Sequence, residues 1–220
     1  MRISRLPPSR RVWIFDLDNT LHDARVRIFP SMHAKINQYL QRNYAVDEAG
    51  ANAMREGFWR RYGTTLDGLI RHHGEHPARF LRETHAFPEL ADMVEHENAL
   101  KHALVRLGGR KLVLSNAPRH YVEEVLRVLG VARFFDAVYT IEDARFRGKP
   151  ALHGFRRLLR NHDLAAHRCA FVDDVLDNLR TAHRLGMSTV WVSQSKRRVP
   201  FVDLRIASVI ELPGLVFRFG

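Results

Sequence analysis

Three short apolar runs in this chain stop abruptly on residues that can do chemistry. V-W-I-F runs into Asp16, K-L-V-L into Ser115 and Asn116, and C-A-F-V into Asp173 and Asp174. None of the runs alternates polar with apolar residues, so each suits a strand covered on both faces. Helix-length amphipathic segments separate them, and this alternation predicts βαβ units on a parallel sheet. The expected strands are Val12–Leu17, Lys111–Ser115, Ala137–Thr140, Ala170–Asp173 and Thr189–Val192. Open sheets of this class bind ligands beyond the carboxyl ends of their strands, so Asp16, Ser115 and Asp173 are expected to meet in one crevice.

One interval breaks the rhythm. From residue 22 to residue 100 there is no convincing strand, only helix-like patterns over Met32–Gln41, Ala49–Arg61, Thr65–His72 and Pro77–Arg82, punctuated by Gly63, Gly74, Pro77 and Pro88. A further helix over Glu97–Leu107, closed by Gly108 and Gly109, leads back into the second strand. In a chain of 220 residues this predicts an α/β core made of residues 1–21 and 101–220, with a helical insertion at 22–100.

Asp16 and Asp18, one residue apart in D-L-D-N-T, are electrostatically costly side by side unless a cation neutralises them. An oxygen donor set without cysteine or histidine suits Mg²⁺. Alone, the pair also fits loop or helix-capping residues. The same is true of each later element: Ser115-Asn116 suits a turn, Lys149 in R-G-K-P a solvated loop, and Asp173-Asp174 in F-V-D-D the cap of the next helix. Together and in this order, the four elements resemble the haloacid dehalogenase superfamily over nearly the whole chain.

That resemblance implies a Rossmann-like sheet with an inserted α-helical cap, and a phosphomonoesterase mechanism. By that resemblance Asp16 would be the nucleophile that forms an aspartyl-phosphate, and Asp18 the general acid and base. Ser115 and Lys149 bind the phosphoryl oxygens. Asp16, Asp173 and Asp174, with the backbone carbonyl of Asp18, hold Mg²⁺; Asp177 competes with Asp174 for the last acidic place. Superfamily dehalogenases lack the second aspartate, so Asp18 favours phosphate over halide. Within the insertion, R-Y-G-T-T-L-D-G-L at residues 61–69 resembles the pyrimidine 5′-nucleotidase branch. The substrate expected is then a nucleoside monophosphate such as UMP or CMP, contacted by Thr20, Asn116, Tyr62, Thr64 and Thr65. A sugar phosphate or phosphoglycolate is the rival substrate. The aromatics near Tyr62 also suit a helix core.

Composition bounds the remaining classes. A net charge of +11 invites a nucleic-acid reading, with the crevice vestigial, but the basic residues are dispersed. Only short clusters occur, at residues 2–11, 156–160 and 196–198, and no nucleic-acid motif accompanies them. No nucleic-acid or membrane partner is expected. The sequence has neither a signal-like stretch nor an apolar run of membrane-spanning length, and a cytoplasmic protein is expected. Cys169, the one cysteine, reads as a packed, inert thiol. His72, His73 and His76 raise the idea of a zinc site, against histidines of a turn.

Overall fold

The computed structural model describes residues 11–95 and 98–218. The first basic cluster, apart from Arg11, and the expected helix start at Glu97 lie outside those residues. Six parallel strands form one sheet in the order β3-β2-β1-β4-β5-β6. They are β1 (Val12–Phe15), β2 (Arg110–Leu114), β3 (Ala137–Tyr139), β4 (Cys169–Asp173), β5 (Ser188–Val192) and β6 (Leu204–Ile206). Five match the expected strands to within two residues at either end. The sixth, β6, adds an edge that sequence patterning does not resolve, because three residues are too few to establish a period.

Side chains of the central strands divide between the two faces with a period of two. Trp13 and Phe15 of β1 join one apolar cluster with Val113, Val172 and Val190. Val12 and Ile14 join the opposite one with Leu112, Leu114 and Phe171. Both faces are therefore dry, which is why the strand sequences read as unbroken apolar runs.

Between β1 and β2 lie α1 (Ile28–Tyr44), α2 (Glu48–Tyr62), α3 (Thr65–His73), α4 (Pro77–Thr84), α5 (Leu90–Met93) and α6 (Asn98–Arg106), with no named strand among the described residues. In α1 the buried residues Ile28, Met32, Ile36, Tyr39 and Leu40 form a single helical stripe. The Asp47 side chain caps α2 by accepting from the Gly50 N–H, and Thr64 caps α3 by accepting from the Asp67 N–H. The first four helices pack on one another, whereas α6 packs against the C-terminal turn Val209–Glu211. The remaining helices, α7 (Arg119–Val128), α8 (Leu152–Asn161), α9 (Leu176–Arg184) and α10 (Leu212–Arg218), follow the later strands. No described helix is long and apolar enough to cross a membrane.

Candidate active site

Strand β1 ends at Phe15, yet the Asp16 N–H still donates to the Val172 carbonyl at 2.9 Å, so Asp16 is held by the ladder as the chain turns away. Its carboxylate accepts from the Leu17 N–H at 2.7 Å and lies 2.7 Å from the Lys149 ammonium. The same Lys149 Nζ lies 2.9 Å from Asp173 Oδ2 at the end of β4. Asp16, Lys149 and Asp173 are all buried. Asp173 is tied further by the Val175 N–H and by the Asn178 amide, which donates to both carboxylate oxygens at 3.0–3.1 Å.

Asp174 completes a group of three. Ligand oxygens of Asp16, Asp173 and Asp174 lie within 4.8 Å of one another. Asp177, by contrast, is exposed on α9 and pairs with Arg180. The structure thus brings Asp174, and not Asp177, to the other two acids. His72, His73 and His76 do not converge: His72 bonds Tyr62 OH at 2.7 Å and stacks on Phe58, His73 meets the Tyr44 ring edge, and His76 stands at the start of α4.

The electrostatics of the three acids are unbalanced. Burial holds the Asp16 carboxyl above its ordinary range against the opposing pull of Lys149, and does the same for Asp173, with Asp16 and Asp174 adding to the rise. Asp174 is pushed up to about 6, by burial first and then by Asp16. Burial works against the Lys149 ammonium, but Asp16 and Asp173 outweigh it and raise its pKa. Three carboxylates therefore face one ammonium, a donor set of oxygens that is short of positive charge. That is the chemistry of a hard divalent cation.

Ser115, at the end of β2, is buried and its Oγ accepts from the Ala117 N–H at 3.0 Å, which leaves its own O–H free to donate. Asn116 uses both ends of its amide on the Lys149 backbone, accepting from the N–H at 2.7 Å and donating to the carbonyl at 2.9 Å. It fixes the lysine loop. The turn into α3 presses on that loop from the inserted helices. A Cβ on Gly63, at φ +87°, would lie 2.2 Å from the Lys149 carbonyl oxygen, and one on Gly148 would lie 2.7 Å from Thr64 Cγ2. The Thr64 Oγ accepts from the Asp67 N–H as the cap of α3, which leaves its O–H able to donate, whereas the Thr65 hydroxyl donates to the Arg55 carbonyl. Thr20, in the turn after β1, is buried with no partner for its hydroxyl among the described residues.

Asp18 faces a different set of groups. Tyr121 OH donates to its Oδ1 at 2.6 Å, and His22 Nε2 lies 2.9 Å from the same oxygen. Its side chain is not part of the three-acid group. Sequence reasoning missed Tyr121, His22 and Asn178. A signal existed for Asn178, a polar residue on the buried stripe of α9 beside Leu179 and Ala182. Tyr121 reads as one more apolar position of α7, beside Val122, Val125 and Leu126.

A family model described as haloacid dehalogenase-like hydrolase matches residues 11–186. The chain belongs to this family. Among solved structures, a haloacid dehalogenase phosphatase from Thermococcus onnurineus superposes with a TM-score of 0.66 at 17% identity, covering 94% of this chain and 97% of that one. The haloacid dehalogenase hydrolase YfnB from Bacillus subtilis, solved with magnesium, gives 0.60 at 19% identity over 94% and 99% of the two chains. L-2-haloacid dehalogenase from Xanthobacter autotrophicus gives 0.61 at 15% identity over 94% and 98%. At these identities the likeness establishes the haloacid dehalogenase fold. Phosphate metabolism protein 8 of Saccharomyces cerevisiae is 23% identical over 197 residues, 83% of this chain and 61% of that protein. The chain thus spans less than two thirds of that relative's length. Cys169, as expected, is buried, its thiol pushed up to about 12 by burial.

Proposed function

We propose that this hydrolase cleaves phosphate monoesters through an aspartyl-phosphate on Asp16. The observation that carries the reading is the Lys149 ammonium held between Asp16 and Asp173, with the Asp18 carboxylate two residues on, outside that group and bonded instead by Tyr121. The carboxylate of Asp16 attacks phosphorus as the bond to the leaving oxygen breaks, and Asp18 protonates that oxygen. Water then attacks the phosphorus of the intermediate, gives its proton to Asp18, and Asp16 leaves as a carboxylate. Lys149 and the Ser115 O–H bind the phosphoryl oxygens as charge moves onto them. Asp16, Asp173 and Asp174, with the Asp18 carbonyl, would hold Mg²⁺, which when bound supplies positive charge shared by the carboxylates and the phosphate.

The proposed substrate class is nucleoside 5′-monophosphates, with Thr20 beside the phosphate and the Tyr62–Thr65 turn toward the nucleoside. Support comes from the contact of Gly63 and Thr64 with the lysine loop, which sets the half-buried rings of Tyr62 and Phe58, and His72 stacked on Phe58, on the same seam. The inserted helices then act as a cap over the crevice. A phosphate-release screen over nucleoside monophosphates, sugar phosphates and phosphoglycolate tests this. Highest kcat/KM on UMP or CMP is expected; a preference for a sugar phosphate or phosphoglycolate refutes the nucleotidase assignment while keeping the phosphatase. No Mg²⁺-dependent release from any of them refutes both.

A further inference from the structure

Asp18 Oδ1 receives two donors, Tyr121 OH at 2.6 Å and His22 Nε2 at 2.9 Å. No bond from either side chain reaches Asp16, Lys149 or Asp173 among the described residues. The Tyr121 side chain is buried in the first turn of α7, its ring held edge-on by His85 and Phe87 at centroid distances of 6.1 and 5.8 Å. Burial, and then the charge of Asp18, raise the phenol pKa well above its ordinary value, so the group stays an O–H and donates. His22 is buried, and its Nδ1 has no partner among the described residues. The tautomer with hydrogen on Nε2 strands no buried N–H, and it makes His22 the second donor.

We infer that Tyr121 and His22 are positioning residues for Asp18: by occupying Oδ1 together they assign Oδ2 as the oxygen that exchanges the proton. The inference rests on the phosphomonoesterase reading. In the first step an O–P bond to Asp16 forms, the P–O bond to the leaving group breaks, and the proton on Asp18 Oδ2 passes to the departing oxygen. In the second, water adds to phosphorus, its proton returns to Oδ2, and the P–O bond to Asp16 breaks. A carboxyl free to rotate would present either oxygen and spend part of its time misaligned, and misplacement of this order is costly in rate.

The demand for that proton depends on the leaving group. A nitrophenolate departs with little help, whereas a phenolate or alkoxide needs the proton. The test measures kcat/KM, which reports phosphoryl transfer to Asp16, on p-nitrophenyl phosphate and phenyl phosphate for wild type, Tyr121→Phe and His22→Leu, with Asp18→Asn as reference. Tyr121→Phe keeps the buried ring, and circular dichroism checks its fold. His22→Leu removes the other donor from a different element, so it carries the test if the first variant folds poorly. A positioning role predicts that each variant loses about 10-fold more on phenyl phosphate than on p-nitrophenyl phosphate, and Asp18→Asn more than either. Equal losses on the two esters would make both residues structural and overturn the inference alone. A wild-type protein that cleaves neither these esters nor any nucleoside monophosphate, sugar phosphate or phosphoglycolate would overturn the phosphatase reading itself.

Discussion

The carboxyl end of the sheet and the turn at residues 62–65 are neighbours, yet they satisfy their polar groups in opposite ways. At the sheet, buried Asp16 and Asp173 share one ammonium with half-buried Asp174 beside them, and burial, with the carboxylates' mutual repulsion, raises all three pKa values. At the turn, Thr64 caps its own helix, Thr65 donates to the Arg55 carbonyl, and Tyr62 pairs with His72. An unbalanced buried cluster announces that something external completes it, because leaving such charges uncompensated is costly. A turn that holds no buried, uncompensated charge makes no such announcement. Under the proposed function, the chemistry lies in the electrostatics of the sheet and selectivity in the shape of the turn and its rings.

Breaking the sheet side gives the largest effects. Asp16→Asn keeps the shape and removes the nucleophilic charge, so turnover should fall by at least about 10⁴-fold in a folded protein, followed by phosphate release and circular dichroism. Near wild-type turnover would remove Asp16 from the mechanism. Lys149→Met strands Asp16 and Asp173 without their shared partner and should cost about 3 kcal/mol of stability, read by urea denaturation without divalent cation. Added Mg²⁺ should restore part of that loss, since it would supply the same carboxylates with positive charge in place of the lost ammonium.

The pH dependence follows from the same imbalance. Asp174 sits at about 6 in the folded protein, above its ordinary value of 3.8, so the folded state holds its proton more tightly than the unfolded state. Without a divalent cation, that contribution to stability is complete below pH 3.8 and is lost as the pH rises through 6. The decline should be smaller in Asp174→Asn, and saturating Mg²⁺ should oppose it by favouring the deprotonated group. Thermal unfolding between those limits measures both. A wild type and an Asp174→Asn variant with parallel profiles would place Asp174 outside the charged cluster.

The turn gives the smallest effect. Thr64→Ala removes the cap of α3 and should cost about 1 kcal/mol. If the turn seats the nucleoside, kcat/KM for UMP should fall more than for p-nitrophenyl phosphate. Equal reductions would leave the turn with a structural role only.

How much of this was legible in the sequence follows the same division. Strands buried on both faces appear as apolar runs, so β1, β2 and β4 and the polar residues at their ends could be read directly. The helices between β1 and β2 were visible through their spacing and their Gly and Pro stops. Strand β6 was not, being three residues long at the sheet edge. The choice between Asp174 and Asp177 needed geometry, since a strand end and the first turn of a helix both place acids close in sequence. Tyr121 and His22 were hidden for a different reason: their partner Asp18 is 103 and 4 residues away, and nothing local marks a tyrosine on an apolar stripe as polar in purpose. The helix contacts of Thr64 and Thr65 were hidden likewise, because cap and ligand contact call for the same residue types.

The central claim is that phosphate is carried covalently on Asp16. Trapping it is the most direct measurement: the protein is mixed with substrate and Mg²⁺, quenched, treated with borohydride and mapped by peptide mass spectrometry. Borohydride reduces an acyl phosphate to the alcohol, so the account predicts homoserine in place of aspartate at position 16, in substrate-treated protein only. Homoserine at Asp18, Asp173 or Asp174 instead, or none in a protein that is turning over, would contradict it.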